Sequence, residues 1–288
     1  MITERARAKI NLTLEVLARR ADGYHELASL MAFADDAFDI VTLDLGKPVG
    51  VSLSGPFSSA IDSDNIAERT IALLVEAQPK LRLGAITIEK HLPVAAGIGG
   101  GSADAAAVLR AAQRANPDIA EGVEWNCIAH ALGADVPVCF ADRACWVTGI
   151  GEKLMPLARM PELSAVLVNP MADVPPNKTA QVFKQLNLAP CANADEAPPP
   201  TPDPFADTGP LLEFMTGRGN HLERPATAVM PEITNVLRII RQAPGCRFAG
   251  LSGAGPTCFG IFSAPAAAIE KLQKEHTGYW IKATSIGT

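Results

Sequence analysis

Pro93-Val-Ala-Ala-Gly-Ile-Gly-Gly-Gly-Ser-Ala103 is the stretch from which the rest of the chain can be read. Four glycines and a serine stand between an apolar strand-like segment and an alanine-rich helical one. Backbone without side chains can wrap closely around a phosphate, and the start of the following helix offers unpaired N–H groups at the positive end of its dipole. A polyphosphate site is expected here.

The stretch invites two nucleotide readings and fits neither closely. Gly97-Ile-Gly-Gly-Gly-Ser102 partly matches the dinucleotide fingerprint GxGxxG, with serine at the third glycine. That fingerprint normally follows the first strand of a βαβ unit and is answered by an acid about 20 residues on. Here several strands precede it, and the acid nearest that distance, Asp118, lies in Asn-Pro-Asp between helical segments. No lysine follows the last glycine, so it is not a GxxxxGK[ST] loop either. A glycine turn that merely allows tight strand-to-helix packing is the bland alternative.

Length and composition limit what the loop can belong to. The 288 residues, 48% hydrophobic, can bury a substantial core and fit one large or two medium domains. The N-terminus lacks the apolar core of a signal peptide, and no run approaches the roughly 18 apolar residues that span a bilayer. A cytoplasmic protein without a membrane partner is expected. The formal net charge of −6 argues against a general nucleic-acid binder. Cys127, Cys139, Cys145, Cys191, Cys246 and Cys258 contain no CxxC pair and read as reduced core residues.

Hydrophobic patterning gives an α+β order. Strands are expected over 9–17, 25–33, 38–43, 85–90, 144–148, 163–169, 247–251 and 257–262, with one more at the C-terminus. Helices are expected over 65–77, capped by Asn65, and 103–115, capped by Ser102, then over 125–132, 178–186, 231–242 and 264–276. The proline-rich acidic stretch 190–204 cannot hold regular hydrogen-bonded structure and reads as a mobile surface excursion. A soft domain boundary falls near residue 156, giving domains 1–156 and 157–288.

Three further clusters carry polar chemistry. Lys9, Asn11 and Thr13 alternate along one strand face, either reaching a shared site or lining a solvated sheet face. Tyr24 and His25, in a polar turn, offer an aromatic face and a directional imidazole to a heteroaromatic ring. Asp135, in Gly133-Ala-Asp-Val-Pro137, is either a helix-end capping group or a catalytic base.

Taken together, these residues resemble a known family over essentially the whole chain. The segment 93–103 resembles the second, ATP-binding motif of the GHMP small-molecule kinases, and Leu251-Ser-Gly-Ala-Gly-Pro-Thr257 resembles their third. Ala8-Lys-Ile-Asn-Leu12, Arg20-Ala-Asp-Gly-Tyr-His25, Ser63-Asp-Asn-Ile66, Gly133-Ala-Asp-Val-Pro137 and Gly219-Asn-His-Leu-Glu223 are similar, in order, to the branch that phosphorylates a cytidine-diphospho sugar alcohol.

The resemblance implies the two-domain GHMP kinase fold: an N-terminal nucleotide-binding domain of ribosomal-S5-domain-2 type and a C-terminal ferredoxin-like domain. It implies transfer of the ATP γ-phosphate to the acceptor's 2-hydroxyl, in non-mevalonate isoprenoid biosynthesis. Carried over by motif, Asp135 would take the hydroxyl proton and Lys9 would keep that carboxylate ionised and offset the moving charge. Pro93, Val94, Ala95, Ala96, Gly97, Ile98, Gly99, Gly100, Gly101, Ser102 and Ala103 would wrap the ATP phosphates, with Asn65 and Lys90 near the adenosine. Asn11 would orient the acceptor, Tyr24 and His25 would recognise the cytosine, and Phe183 would supply a second stacking face.

Mg2+ is implied as cofactor, with no obvious protein ligand beyond Ser102. His221 and Ala254 depart from the family pattern, so a capping or packing role is expected for the first and backbone contacts alone around the second. A homoserine- or mevalonate-type kinase, a non-catalytic nucleotide sensor and a dinucleotide oxidoreductase are the competing readings.

Overall fold

The computed structural model describes residues 1–60, 66–189, 199–202 and 204–287. Two compact units are interleaved in sequence, and the expected α+β class is what the chain adopts. The first unit takes Met1–Ala8, Ala37–Val94 and Gly99–Asp142, and the second takes Lys9–Asp36, Ala95–Ile98 and Arg143–Thr288. Strands β1 (Ile2–Asn11) and β3 (His25–Asp44) are long enough to contribute residues to both.

In the first unit, β4 (Gly50–Ser54) and β5 (Ala85–Glu89) pair in parallel and are joined through α1 (Ile66–Ala77). Parallel neighbours need such a crossover, whereas the antiparallel pairing of β5 with the far end of β3 does not. Helix α2 (Gly100–Ala115) buries Ala103, Ala105, Ala106, Ala107, Ala111 and Ala112. Alanine favours helix, and its short side chain lets α1, α3 (Trp125–Leu132) and α4 (Val136–Ala141) approach closely.

In the second unit, β8 (Leu163–Asn169), β9 (Cys246–Leu251), β10 (Cys258–Phe262) and β11 (Trp280–Gly287) form an antiparallel set with β3 in the order β3-β11-β8-β10-β9. Strands β2 (Glu15–Arg19) and β6 (Cys145–Gly149) pair with the near end of β3, and β7 (Lys153–Pro156) pairs with β6. Helix α8 (Glu232–Arg241) points Ile233, Val236, Leu237 and Ile240 at β9 and β10, the spacing of one helical face. That face joins Val166, Val168, Leu251 and Phe262 in a core shared with α5 (Lys178–Gln185), α7 (Glu223–Val229) and α9 (Ala266–Glu275).

Several expectations are corrected. The strand expected over 9–17 is interrupted, because the N–H groups of Leu12 and Thr13 both donate to Leu30 O, at 2.8 and 3.4 Å, and break the alternation between β1 and β2. The two strands expected over 25–33 and 38–43 are one. Ala34-Asp-Asp-Ala37 has turn-forming composition, yet Asp36 N–H donates to Thr284 Oγ1 (3.0 Å) and Ser285 Oγ donates to Asp35 Oδ2 (2.8 Å). Strand β11 therefore supplies the partners that keep β3 extended.

Ser102 does not cap α2, which starts earlier, with Gly99 at the N-cap position and a φ of 66°. Strands β4 and β7 and helices α4, α6 (Thr208–Arg218) and α7 lie outside every expected element. The expected cap Asn65, Cys191 and most of the 190–204 excursion lie outside the described residues; in the described part, Pro199 O accepts from Trp146 Nε1 at 3.3 Å. Of the five described cysteines, Cys127 is exposed rather than in the core. Among the described residues no helix is long and apolar enough to cross a membrane.

Candidate active site

The last residues of β1 carry the first part of the site in the second unit. Lys9 and Asn11 are 3% and 1% exposed, so the solvated-face reading does not hold. Lys9 Nζ donates to Asn11 Oδ1 at 2.9 Å, and Asn11 Nδ2 donates to Ser29 Oγ at 2.9 Å. Ser29 Oγ in turn donates to Thr13 O at 2.5 Å. Since an ammonium can only donate, the chain of bonds fixes the orientation of the Asn11 amide. Asn11 is engaged at both ends and orients Lys9; Thr13 Oγ1 accepts from Leu30 N–H at 3.0 Å.

Ser252 joins this cluster to both glycine-rich segments. Its Oγ accepts from Asn11 N–H at 3.2 Å and donates to Gly97 O at 2.9 Å. Thr257 N–H donates to Ala96 O at 3.0 Å, and Lys9 N–H donates to Ile98 O at 2.9 Å. Gly97, at φ 79°, has no room for a side chain: a Cβ would sit 2.6 Å from Ser252 O and 2.7 Å from Gly255 O. Lys178, at the start of α5, donates to Ala95 O at 2.9 Å and also to Gly255 O. Asn220 Nδ2 donates to Leu251 O and Gly253 O, while His221 Nδ1 accepts from Val16 N–H, which is the packing role expected of that motif.

The same unit brings the expected base-reading residues together. Asp22 Oδ1 accepts from Tyr24 N–H at 3.0 Å, an Asx turn that leaves the tyrosine ring 59% exposed. His25 stacks on Phe183, with ring centroids 4.7 Å apart. Burial, then the neighbouring Arg19 charge, holds the His25 pKa below the ordinary histidine value, so the ring is neutral near pH 7. A neutral imidazole has one donor and one acceptor, suited to the edge of a nucleobase. His25 and Phe183 touch, and Tyr24 stands next to His25 in sequence with its side chain exposed.

In the first unit, Gly99 to Ala103 form the turn into α2. Ala103 N–H donates to Gly99 O at 2.8 Å, so the N–H groups of Gly100, Gly101 and Ser102 precede the first helical bond. Such groups with the helix dipole favour an anion. Pro93 is buried and Val94 is 38% exposed. Asp135 occupies the N-cap position of α4, where its side chain makes no capping bond to that helix.

Lys90 does not present its ammonium to the surface. It is 2% exposed and bridges Asp39 and, at 2.5 Å, Asp104 Oδ2. Asp39 Oδ1 also accepts from the N–H groups of His91 and Leu92, at 2.5 and 2.8 Å. Burial alone would lower Lys90, but Asp104 and Asp39 outweigh it and raise its pKa. Burial pushes Asp104 up to about 8 against the pull of Lys90, and its Oδ1 has no partner among the described residues. The triad clamps both ends of the 93–103 segment, from the end of β5 and from α2.

Ser29, Asp39, Asp104, Lys178 and Ser252 went unnoticed in the sequence. Only Ser252 and Asp104 lie in or beside a recognisable motif; the others act on backbone or side chains distant in sequence.

Residues 65–143 match the GHMP kinases N terminal domain, and residues 205–277 match GHMP kinases C terminal. A 4-diphosphocytidyl-2-C-methyl-D-erythritol kinase of Bradyrhizobium diazoefficiens is 43% identical, the match covering 99% of this chain and 98% of the relative. One of Rhodopseudomonas palustris is 41% identical, covering 99% and 97%. A crystal structure of 4-(cytidine 5'-diphospho)-2C-methyl-D-erythritol kinase superposes with a TM-score of 0.74 at 32% identity, covering 100% of both chains. The L. major mevalonate kinase shares the fold, with a TM-score of 0.65 at 13% identity and coverage of 100% and 96%.

Proposed function

This chain belongs to the GHMP kinase family, in the branch of the 4-diphosphocytidyl-2-C-methyl-D-erythritol kinases, and from that membership we propose that it transfers the γ-phosphoryl group of ATP to the 2-hydroxyl of 4-diphosphocytidyl-2-C-methyl-D-erythritol. The observation that carries the reading is identity of 43% over 99% of the chain to a kinase of that name. The reaction serves non-mevalonate isoprenoid synthesis and runs in the cytoplasm. The two family matches fall on either side of residue 156, which supports reading the sequence as an ATP-binding part, 1–156, and a C-terminal kinase part, 157–288, although the compact units interleave, the second also taking Lys9–Asp36, Ala95–Ile98 and the chain from Arg143.

In this reading the acceptor hydroxyl oxygen bonds to the γ-phosphorus, the bond from that phosphorus to the ADP oxygen breaks, and Asp135 takes the hydroxyl proton. Lys9, oriented by Asn11, offsets negative charge as the phosphoryl group moves. Residues 93–103 cradle the phosphates. Tyr24 offers its face to cytosine, and His25, held by Phe183, reads the edge of the base.

Magnesium is the ion this reading implies, and a nucleotide-bound magnesium takes its ligands chiefly from phosphate and water. Ser102, in the first turn of α2, would supply the protein ligand, and the ion would neutralise charge on the β and γ oxygens. Release of ADP in the presence of this acceptor, but not of homoserine or mevalonate, tests the assignment.

A further inference from the structure

Lys178 is 5% exposed, and among the described residues its ammonium meets no carboxylate. Its partners are two main-chain carbonyls, those of Ala95 and Gly255. A buried cation without an anion is costly, and here desolvation acts unopposed, lowering Lys178 to about 8. Such a group is worth explaining.

Both carbonyls belong to glycine-rich segments, Ala95 to 93–103 and Gly255 to 251–257. Ala95 sits at φ 54°, a left-handed conformation that a residue with a Cβ adopts only when its surroundings hold it there. A charge-assisted bond from an ammonium is roughly twice as strong as a neutral one. The remaining ties between these segments, Thr257 N–H to Ala96 O and Ser252 Oγ to Gly97 O, are neutral.

We propose that Lys178 is a positioning residue for nucleotide binding: its ammonium fixes the Ala95 and Gly255 backbone in the shape that receives the ATP phosphates, and places behind them a positive charge that no carboxylate among the described residues neutralises. The inference rests on reading 93–103 as the ATP segment. Helix α5 then serves both substrates, its first residue holding the phosphate segments and Phe183 holding His25.

Calorimetric titration of the full-length protein with magnesium-ATP, without acceptor, tests this. Lys178→Met, which removes donor and charge, is expected to weaken ATP by about tenfold, leaving acceptor affinity within about twofold. Lys178→Arg is expected to recover most of the loss. If the Met variant does not fold, Lys178→Gln, which keeps an N–H donor but no charge, carries the test with a loss of about fivefold. Wild-type ATP affinity in the folded Met or Gln variant, or equal losses in Met and Arg, overturns the inference alone. Failure of the wild-type protein to bind ATP removes the reading of the loop, and the inference with it.

Discussion

The imidazole of His25 lies stacked on the phenyl ring of Phe183, with centroids 4.7 Å and planes 29° apart. One ring opens β3 and the other rides on α5, so the pair ties the edge-reading histidine to a helix. Aromatic contacts of this kind are worth about 0.5–1.5 kcal/mol beyond burial. Phe183→Leu is therefore expected to raise KM for the acceptor about three- to tenfold, with KM for ATP unchanged. Steady-state kinetics with each substrate varied in turn checks it.

The same contact predicts a pH dependence. Burial disfavours the imidazolium, so the folded protein releases the His25 proton more readily than the unfolded chain does. Acceptor affinity is then constant above the ordinary histidine range and falls only as the pH drops below it. Folding stability drawn from this group is likewise present above that range and lost on acidification through the lowered pKa. A titration of KM against pH in wild type and His25→Gln checks this; an acid limb that survives in the variant contradicts it.

Gly97 packs its α-carbon against the second glycine-rich segment. Gly97→Ala would place a methyl 2.6 Å from Ser252 O and 2.7 Å from Gly255 O, both backbone atoms, at a φ of 79°. The two segments must separate to admit it. The expected result is a folded protein destabilised by at least about 1 kcal/mol, with ATP affinity reduced more than tenfold; denaturant melts and nucleotide titration report the two effects.

The Asp39–Lys90–Asp104 cluster gives the largest stability effects. Lys90→Met strands the buried Asp39 carboxylate, takes from Asp104 its ammonium partner, and is expected to cost about 3–5 kcal/mol. Asp104 carries a raised pKa, so the folded state binds more protons than the unfolded chain between the ordinary aspartate range and about 8. Its contribution is full below that range and is lost as pH rises toward 8. Urea melts at pH 5 and pH 8 should show a decline in wild type that is reduced in Asp104→Asn.

The helices α1, α2, α3, α5, α8 and α9 were legible because each shows helical periodicity or a capping signal in a continuous stretch. Strand β3 was not legible as one element, because the bonds that keep Asp35 and Asp36 extended come from β11 at the other end of the chain. The site divided in the same way. Lys9, Tyr24, His25 and Asp135 stood out through residue type and motif, whereas Lys178 looks like any surface lysine until Ala95 and Gly255 are brought to it. The sharing of Lys90 between two aspartates was equally invisible, since its motif neighbours suggested a role toward nucleotide.

The most direct test is to incubate the purified protein with ATP, magnesium and 4-diphosphocytidyl-2-C-methyl-D-erythritol and to locate the transferred phosphoryl group by phosphorus and carbon NMR. The account predicts one new phosphomonoester on the 2-hydroxyl for each ADP released, and near-complete loss of it in Asp135→Asn with ATP binding retained. Phosphorylation of a different hydroxyl or of another small alcohol, ADP release without a phosphomonoester, or an unimpaired Asp135→Asn would contradict it.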